Sequence, residues 1–355
     1  MPLLDVSAGS TALSHIHRHG LHPDYFHTML GASGGPKWFT LFGLDCYLFG
    51  EFFNGRTTPL RLIGSSAGAF RFSALAQANP IAAIRRLADD YAALDYPKGA
   101  TAQEIELKSI ALVNKTLGDT GIKEILENPI FKANFITART QGLLSSEVSL
   151  LQLFGLLNAF CANRIERSRL NKHCKRIVIG ADVKSLVISD LHGLDTCYVE
   201  LTPDNIKQSL LASGAIPMLL PGIPHINGAP PGVFRDGGLI DYHFNSKFEG
   251  SEEQPLVLYP HFTNQPKAGW FDKNLKRKPL DAHYDNVVML TPTKDFIRQL
   301  PLQKIPDRND FKTMSLTQRQ TYWGEVMKQS HLLAQEFHTL VTKQQLDHIK
   351  PLKLN

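Results

Sequence analysis

Two short stretches of this chain place a serine between glycines two residues away on either side: Gly31-Ala32-Ser33-Gly34-Gly35 and Gly64-Ser65-Ser66-Ala67-Gly68. A serine hydroxyl is a weak nucleophile until a base takes its proton and fixed donors stabilise the charge that develops on its target. GxSxG serves that chemistry sterically. The chain turns so tightly from strand to helix that side chains two positions from the serine would collide, and the serine is held out on a strained backbone. Chance supplies such a pattern on the order of 0.1 times in this length at average Gly and Ser frequencies. Local context strengthens it.

The later copy follows the apolar run 60–63 and precedes a helix-like stretch, 67–78, that stops before Pro80. That helix would point its positive N-terminal end at Ser66. The earlier copy continues into Pro36 and Lys37 and also lies between a strand candidate and a helix candidate, with Pro36 near the first turn. Its amides, those of Gly34 and Gly35 above all, can converge on an oxyanion because no Cβ blocks the approach. Spacing leaves both Ser33 and Ser66 open as nucleophile. A nucleotide P-loop is the other reading of 31–37, but the Gly-Lys-Ser/Thr ending that binds phosphate and Mg²⁺ is missing.

A base candidate stands in Val233-Phe234-Arg235-Asp236-Gly237-Gly238, an apolar approach ending in a carboxylate and two glycines. Taken alone, Asp-Gly is first of all a β-turn signal. His243 and His261 follow Asp236 in the Ser, Asp, His order of α/β-hydrolases, so a histidine-mediated triad is a second arrangement.

These residues need a scaffold. Strand-like runs at 25–30, 60–63, 176–179, 197–201, 255–259 and 286–290 alternate with helix-like stretches at 37–50, 67–78, 81–94, 145–163 and 205–212. That alternation predicts an α/β sheet covered on both faces. In 315–346, Trp323, Val326, Met327, Leu333, Phe337, Leu340 and Val341 form one apolar stripe of a long helix. Packing on the domain is the ordinary use of such a stripe, and lying on a membrane is the alternative. We expect a lead-in at 1–24, a catalytic domain at 25–300 and a helical C-terminal extension at 301–355.

The ordered set of glycine-rich loop, GxSxG and Asp-Gly-Gly resembles the patatin-like phospholipase family. Ala212-Ser213-Gly214-Ala215-Ile216-Pro217 is similar to the family's Ala-Ser-x-Ala-x-Pro stretch, and Asn245 sits where the family often has an asparagine. The match runs from about Met29 to Asn245. The resemblance implies a three-layer α/β hydrolase with helices on both faces of its sheet and a largely helical C-terminal extension. It also implies a Ser–Asp dyad in which Ser66 is the nucleophile and Asp236 the general base. Gly34, Gly35 and Lys37 would form the oxyanion hole, and Gly64, Gly68, Gly237 and Gly238 would shape the turns. The implied activity is lipid acyl ester hydrolysis, of phospholipase A or lysophospholipase type, with no metal and no cofactor. A short-chain carboxylesterase and a catalytically silent lipid-binding protein are the alternatives. The loop departs from the family pattern: Ser33, Pro36 and Trp38 replace two glycines and the variable residue, and no proline follows Asn245.

Other clusters read more plainly. His15, His17, His19, His22 and His27 crowd into thirteen residues at the approach to and start of the first predicted strand, without an HExxH and with Gly20 and Pro23 breaking the helix, so a solvated element is expected rather than a metal site. Lys273, Lys276, Arg277 and Lys278 read as a solvated basic loop. Cys46, Cys161, Cys174 and Cys197 have neither CxxC nor paired spacing, which suits a reducing cytosol. The 355 residues are 43% hydrophobic and 20% charged, which excludes disordered and fibrous classes. A net charge of +5 is too diffuse for nucleic-acid binding, and no run reaches the ~18 apolar residues of a membrane span. A cytoplasmic protein acting on an acyl-ester substrate is expected, with peripheral membrane contact and oligomeric state left open.

Overall fold

The computed structural model describes residues 2–97 and 99–354. Strands are β1 (Leu4–Ala8), β2 (Phe26–Gly31), β3 (Leu60–Ser65), β4 (Phe131–Thr140), β5 (Cys174–Gly180), β6 (Ile188–Ser189), β7 (Thr196–Glu200), β8 (Val233–Asp236), β9 (Lys247–Phe248), β10 (Leu256–Pro260), β11 (Val287–Pro292) and β12 (Lys350–Pro351). Ten of them form one sheet, ordered β12-β1-β11-β10-β2-β3-β4-β5-β7, with β8 beside β4; β6 and β9 make a separate ribbon. From β11 through β10, β2 and β3 to β4 the pairing is parallel. Antiparallel pairs occur at β1–β11, β4–β5 and β4–β8. Every residue of β2, β10 and β11 is buried. Strands buried on both faces require helices on both sides of the sheet, and the result is a mixed α/β fold around a mostly parallel sheet.

All six strand-like runs coincide with strands to within two residues. The segment 1–24 is more than a lead-in: β1 pairs with β11 on one side and with β12, from the other end of the chain, on the other. The helical tail ends in that short strand. Helix Leu316–Thr342 starts at a capping box made by Ser315 and Gln318 and buries Trp323, Val326, Leu333, Phe337 and Leu340. Its Trp323 ring lies 5.0 Å from Phe39, and its indole N–H donates to Asp310 at 3.0 Å. The apolar stripe at 315–346 therefore faces the domain.

β4 is the strand that positions the site. Its first six residues pair with β3, ending at Ser65 opposite Ile136. Its last four pair with β8 along the same flank, and Asp236 lies opposite Thr137. β3 and β8 run in opposite directions and meet end to end there, so the residue after β3 and the last residue of β8 are brought together by the sheet itself.

Candidate active site

Ser66 follows β3 directly and precedes helix Ala67–Leu75. Its backbone has φ 53° and ψ −119°, a conformation that non-glycine residues rarely adopt and that costs on the order of 1–3 kcal/mol. The two glycines of this turn are required by space. A Cβ on Gly64 would run into the backbone of Gly68, and one on Gly68 into the carbonyl of Gly31. Ser213 splints the strained turn: its hydroxyl accepts the Ser66 N–H at 2.8 Å and donates to the Ile136 carbonyl at 2.8 Å. The Asp236 N–H donates to Ala215 at 2.9 Å. The stretch 212–217 thus ties the turn, β4 and β8 into one unit.

Ser66 Oγ donates to Asp236 Oδ2 at 2.8 Å, and the other carboxylate oxygen accepts the Gly238 N–H at 2.7 Å. Ser66 is 4% exposed and Asp236 6%. Burial raises the Asp236 carboxyl above the ordinary aspartate range, against the opposing pull of Arg308, the Gly238 N–H, the Ser66 hydroxyl and Lys273. A carboxylate of raised proton affinity at this distance can take a hydroxyl proton directly. His243 and His261 make no hydrogen bond to either residue. His243 Nδ1 accepts the Lys267 N–H, and the His261 ring meets Thr263. Both imidazoles are held neutral by burial, His243 well below its ordinary value and His261 at about 3.

The glycine-rich loop borders the same site. Gly35 shares a cavity of about 720 Å³ with Ser66 and Ala67. Its φ of 57° is left-handed, the region that favours glycine. Among the described residues the amides of Gly34, Gly35 and Ala67 have no backbone or side-chain acceptor. Ala67 stands at the first turn of the helix, where unpaired N–H groups are expected. Lys37 is half-buried, its ammonium 5.2 Å from the Phe262 ring centre, and desolvation lowers its pKa. Ser33 points elsewhere: its hydroxyl donates to Ser65 at 3.0 Å, and both pack against Gly237 and Gly238. Asn245 is fully buried and bonded to Leu280, His283 and His192, apart from the Ser66–Asp236 pair.

Motif reading does not reach several groups at the site. Arg308, Phe311, Met314 and Leu316, all in the C-terminal extension, line the cavity together with Phe70, Leu211, Ile216 and Leu219. The Arg308 side chain lies over Gly35, within 2.9 Å of where a Cβ would stand. Lys273 is not a solvated member of its basic run. It lies 3.9 Å over the Tyr242 ring, and desolvation together with Arg308 and Lys37 brings its pKa to about 8. Arg277 of the same run pairs with Asp272 at 2.8 Å. The histidine cluster is mixed: His15 and His19 share a helix face, ring centres 4.7 Å apart, and His15 packs on Tyr25.

No protein-family model matches the chain, and no curated protein sequence matches it. Among solved structures, the crystal structure of VipD from Legionella pneumophila aligns at a TM-score of 0.34 and 15% identity, covering 75% of this chain and 54% of that one. The chain therefore spans about half the length of that protein.

Proposed function

We propose that the protein is a serine acyl hydrolase of the patatin-like kind, acting on lipid carboxylic esters of the phospholipase A or lysophospholipase class. The observation that carries this reading is the 2.8 Å hydrogen bond from Ser66, on its strained turn, to the buried carboxylate of Asp236. In the reaction, Ser66 Oγ bonds to the acyl carbon while its proton passes to Asp236. The tetrahedral oxyanion is held by the free amides of Gly34 and Gly35, with Ala67 as a further donor and Lys37 behind the loop. Its collapse expels the alcohol, which takes the proton from Asp236. Water then attacks the acyl-enzyme, delivers a proton to Asp236 and releases the fatty acid, and the proton returns to Ser66. The apolar walls from Phe70, Leu211, Ile216, Phe311 and Met314 suit an acyl chain.

A fluorophosphonate probe, followed by peptide mapping, tests the site. Labelling at Ser66 that disappears in Asp236→Asn is expected. Labelling at Ser33, or none on folded protein, overturns the mechanism. Fatty-acid release from phospholipid vesicles, set against hydrolysis of a soluble short ester, decides between lipid hydrolase and short-chain esterase.

A further inference from the structure

Helix Ser149–Ile165 is turned inside out. The residues it buries are Gln152, Gly155, Ala159 and Asn163, while Leu150, Leu151, Leu153, Phe154 and Leu157 stand in water, Leu150 at 62% exposure and Phe154 at 51%. Polar anchors hold it that way. Gln152 donates to the Ser146 carbonyl at 2.7 Å and accepts the Met218 N–H at 2.6 Å; Asn163 donates to Asp272 at 2.8 Å. The Gln152 bond joins the helix to a loop whose Met218 and Leu219 are also exposed, and Leu143 and Val148 extend the surface on the N-terminal side. Together these side chains present on the order of 700–800 Å² of apolar surface, more than the roughly 300–600 Å² of the largest patch on an ordinary monomer.

We infer that this face docks on a lipid bilayer and delivers substrate to the Ser66 cavity. The inference rests on the lipid-hydrolase reading above and adds the surface through which lipid arrives. Continuity is the first argument: Leu219 belongs both to the exposed patch and to the wall of the cavity that holds Ser66. A bilayer lying on the patch would place acyl chains against Leu219, at the wall of the cavity, and so suits an apolar cavity that holds a nucleophile. Charge is the second. Arg164 is the only charged residue among the seventeen of the helix, and beyond it Arg169 and Lys172 are exposed against Glu166, with Glu147 before the helix. The rim suits phosphate headgroups, and the centre is uncharged. Among the described residues no helix is long and apolar enough to cross a membrane, and this one keeps Gln152, Gly155, Ala159 and Asn163 against the domain, so the proposed contact has the helix lying in the interface plane.

Flotation of the full chain with phosphatidylcholine vesicles, at low and at high salt, tests the assignment. Wild type floats at both, because apolar insertion is not screened. The triple variant Leu150→Ser, Phe154→Ser, Leu157→Ser weakens vesicle affinity by about a hundredfold, roughly fivefold for each half-exposed side chain. Its hydrolysis of a soluble short ester and its unfolding midpoint stay at wild-type values, since the side chains removed already face water. As a second readout, Phe154→Trp shows a blue shift in emission when vesicles are added. Wild type that stays in solution, or a triple variant that floats as wild type does, overturns the docking face. So does a wild-type dimer that the variant turns into monomer without any vesicle binding. Vesicle binding without phospholipid turnover leaves the face standing and removes the lipid-hydrolase reading instead.

Discussion

The two GxSxG stretches share a pattern, a preceding buried strand and a following helical segment, yet their serines end in opposite situations. In 64–68 the left-handed residue is Ser66 itself, at φ 53°, and its hydroxyl meets Asp236. In 31–35 it is Gly35, at φ 57°, two positions later, and Ser33 keeps an ordinary backbone and bonds inward to Ser65. Where the strain falls decides which serine is presented. The neighbouring strand decides the rest, because β3 stops where β8 arrives and Asp236 accepts from Ser66, while the Ser33 hydroxyl donates to Ser65. The two arms are also clamped together. Asp45, on helix Phe42–Tyr47 beyond the first stretch, holds Arg71, on the helix after the second, through two hydrogen bonds of 2.6 and 2.9 Å, both side chains buried.

The largest expected effect separates the two serines directly. Ser66→Ala should lower ester turnover by about a thousandfold or more, as loss of a nucleophile does, while Ser33→Ala stays within a few-fold of wild type. Steady-state kinetics on one soluble ester measures both, and equal losses would erase the distinction between the stretches. Next in size is the clamp. Asp45→Ala leaves the Arg71 guanidinium buried without a partner, and breaking such a pair costs about 3–5 kcal/mol. Denaturant unfolding reads this, and a loss below about 1 kcal/mol would mean that the arms are held by packing alone.

Much of this scaffold is legible because its strands are uninterrupted apolar runs, as in Val287-Val288-Met289-Leu290. β4 is not legible, although it lies at the heart of the sheet. Lys132, Asn134, Thr137, Arg139 and Thr140 interrupt its apolar character, and only part of that polarity finds a partner, since Asn134 Oδ1 and Thr137 Oγ1 are buried with none among the described residues. Thr140 donates to Val233 across the sheet at 2.8 Å, and Asn134 to the Lys132 carbonyl at 2.8 Å. Missing β4 conceals why Ser66 and Asp236 meet at all, since both strand ends are registered on it. β1 and β12 escape for another reason: one is five residues long and the other two, and each finds its partner at the far end of the chain. Arg308 and Lys273 belong to no motif: the return of the C-terminal extension over Gly35 brings Arg308 to the site, and Lys273 arrives separately, over the Tyr242 ring. Motif spacing can nominate Asp236 and its partners Ser66 and Gly238, but the two cations that lower its proton affinity, Arg308 and Lys273, lie outside every motif.

The smallest effects concern that proton affinity and separate the two stretches by pH. In the proposed mechanism, turnover through Ser66 needs Asp236 ionised, so activity should fall as pH drops through a pKa raised by burial above the ordinary aspartate value. Lys273, with its pKa at about 8, is mostly charged below that pH and helps keep the carboxylate ionised. Lys273→Met should therefore move the acid limb of the kcat/KM profile upward, a change that Ser33→Ala should not reproduce. Stability runs the other way. A carboxyl whose folded pKa is raised binds its proton more tightly in the native state, so its contribution weakens the fold as pH rises from the unfolded aspartate value through the folded one. Asp236→Asn should accordingly raise the unfolding midpoint at neutral pH, with the gain vanishing in acid, while it abolishes turnover. If the midpoint instead falls at neutral pH, the ionised carboxylate stabilises the turn around Ser66, and burial is not what sets its proton affinity.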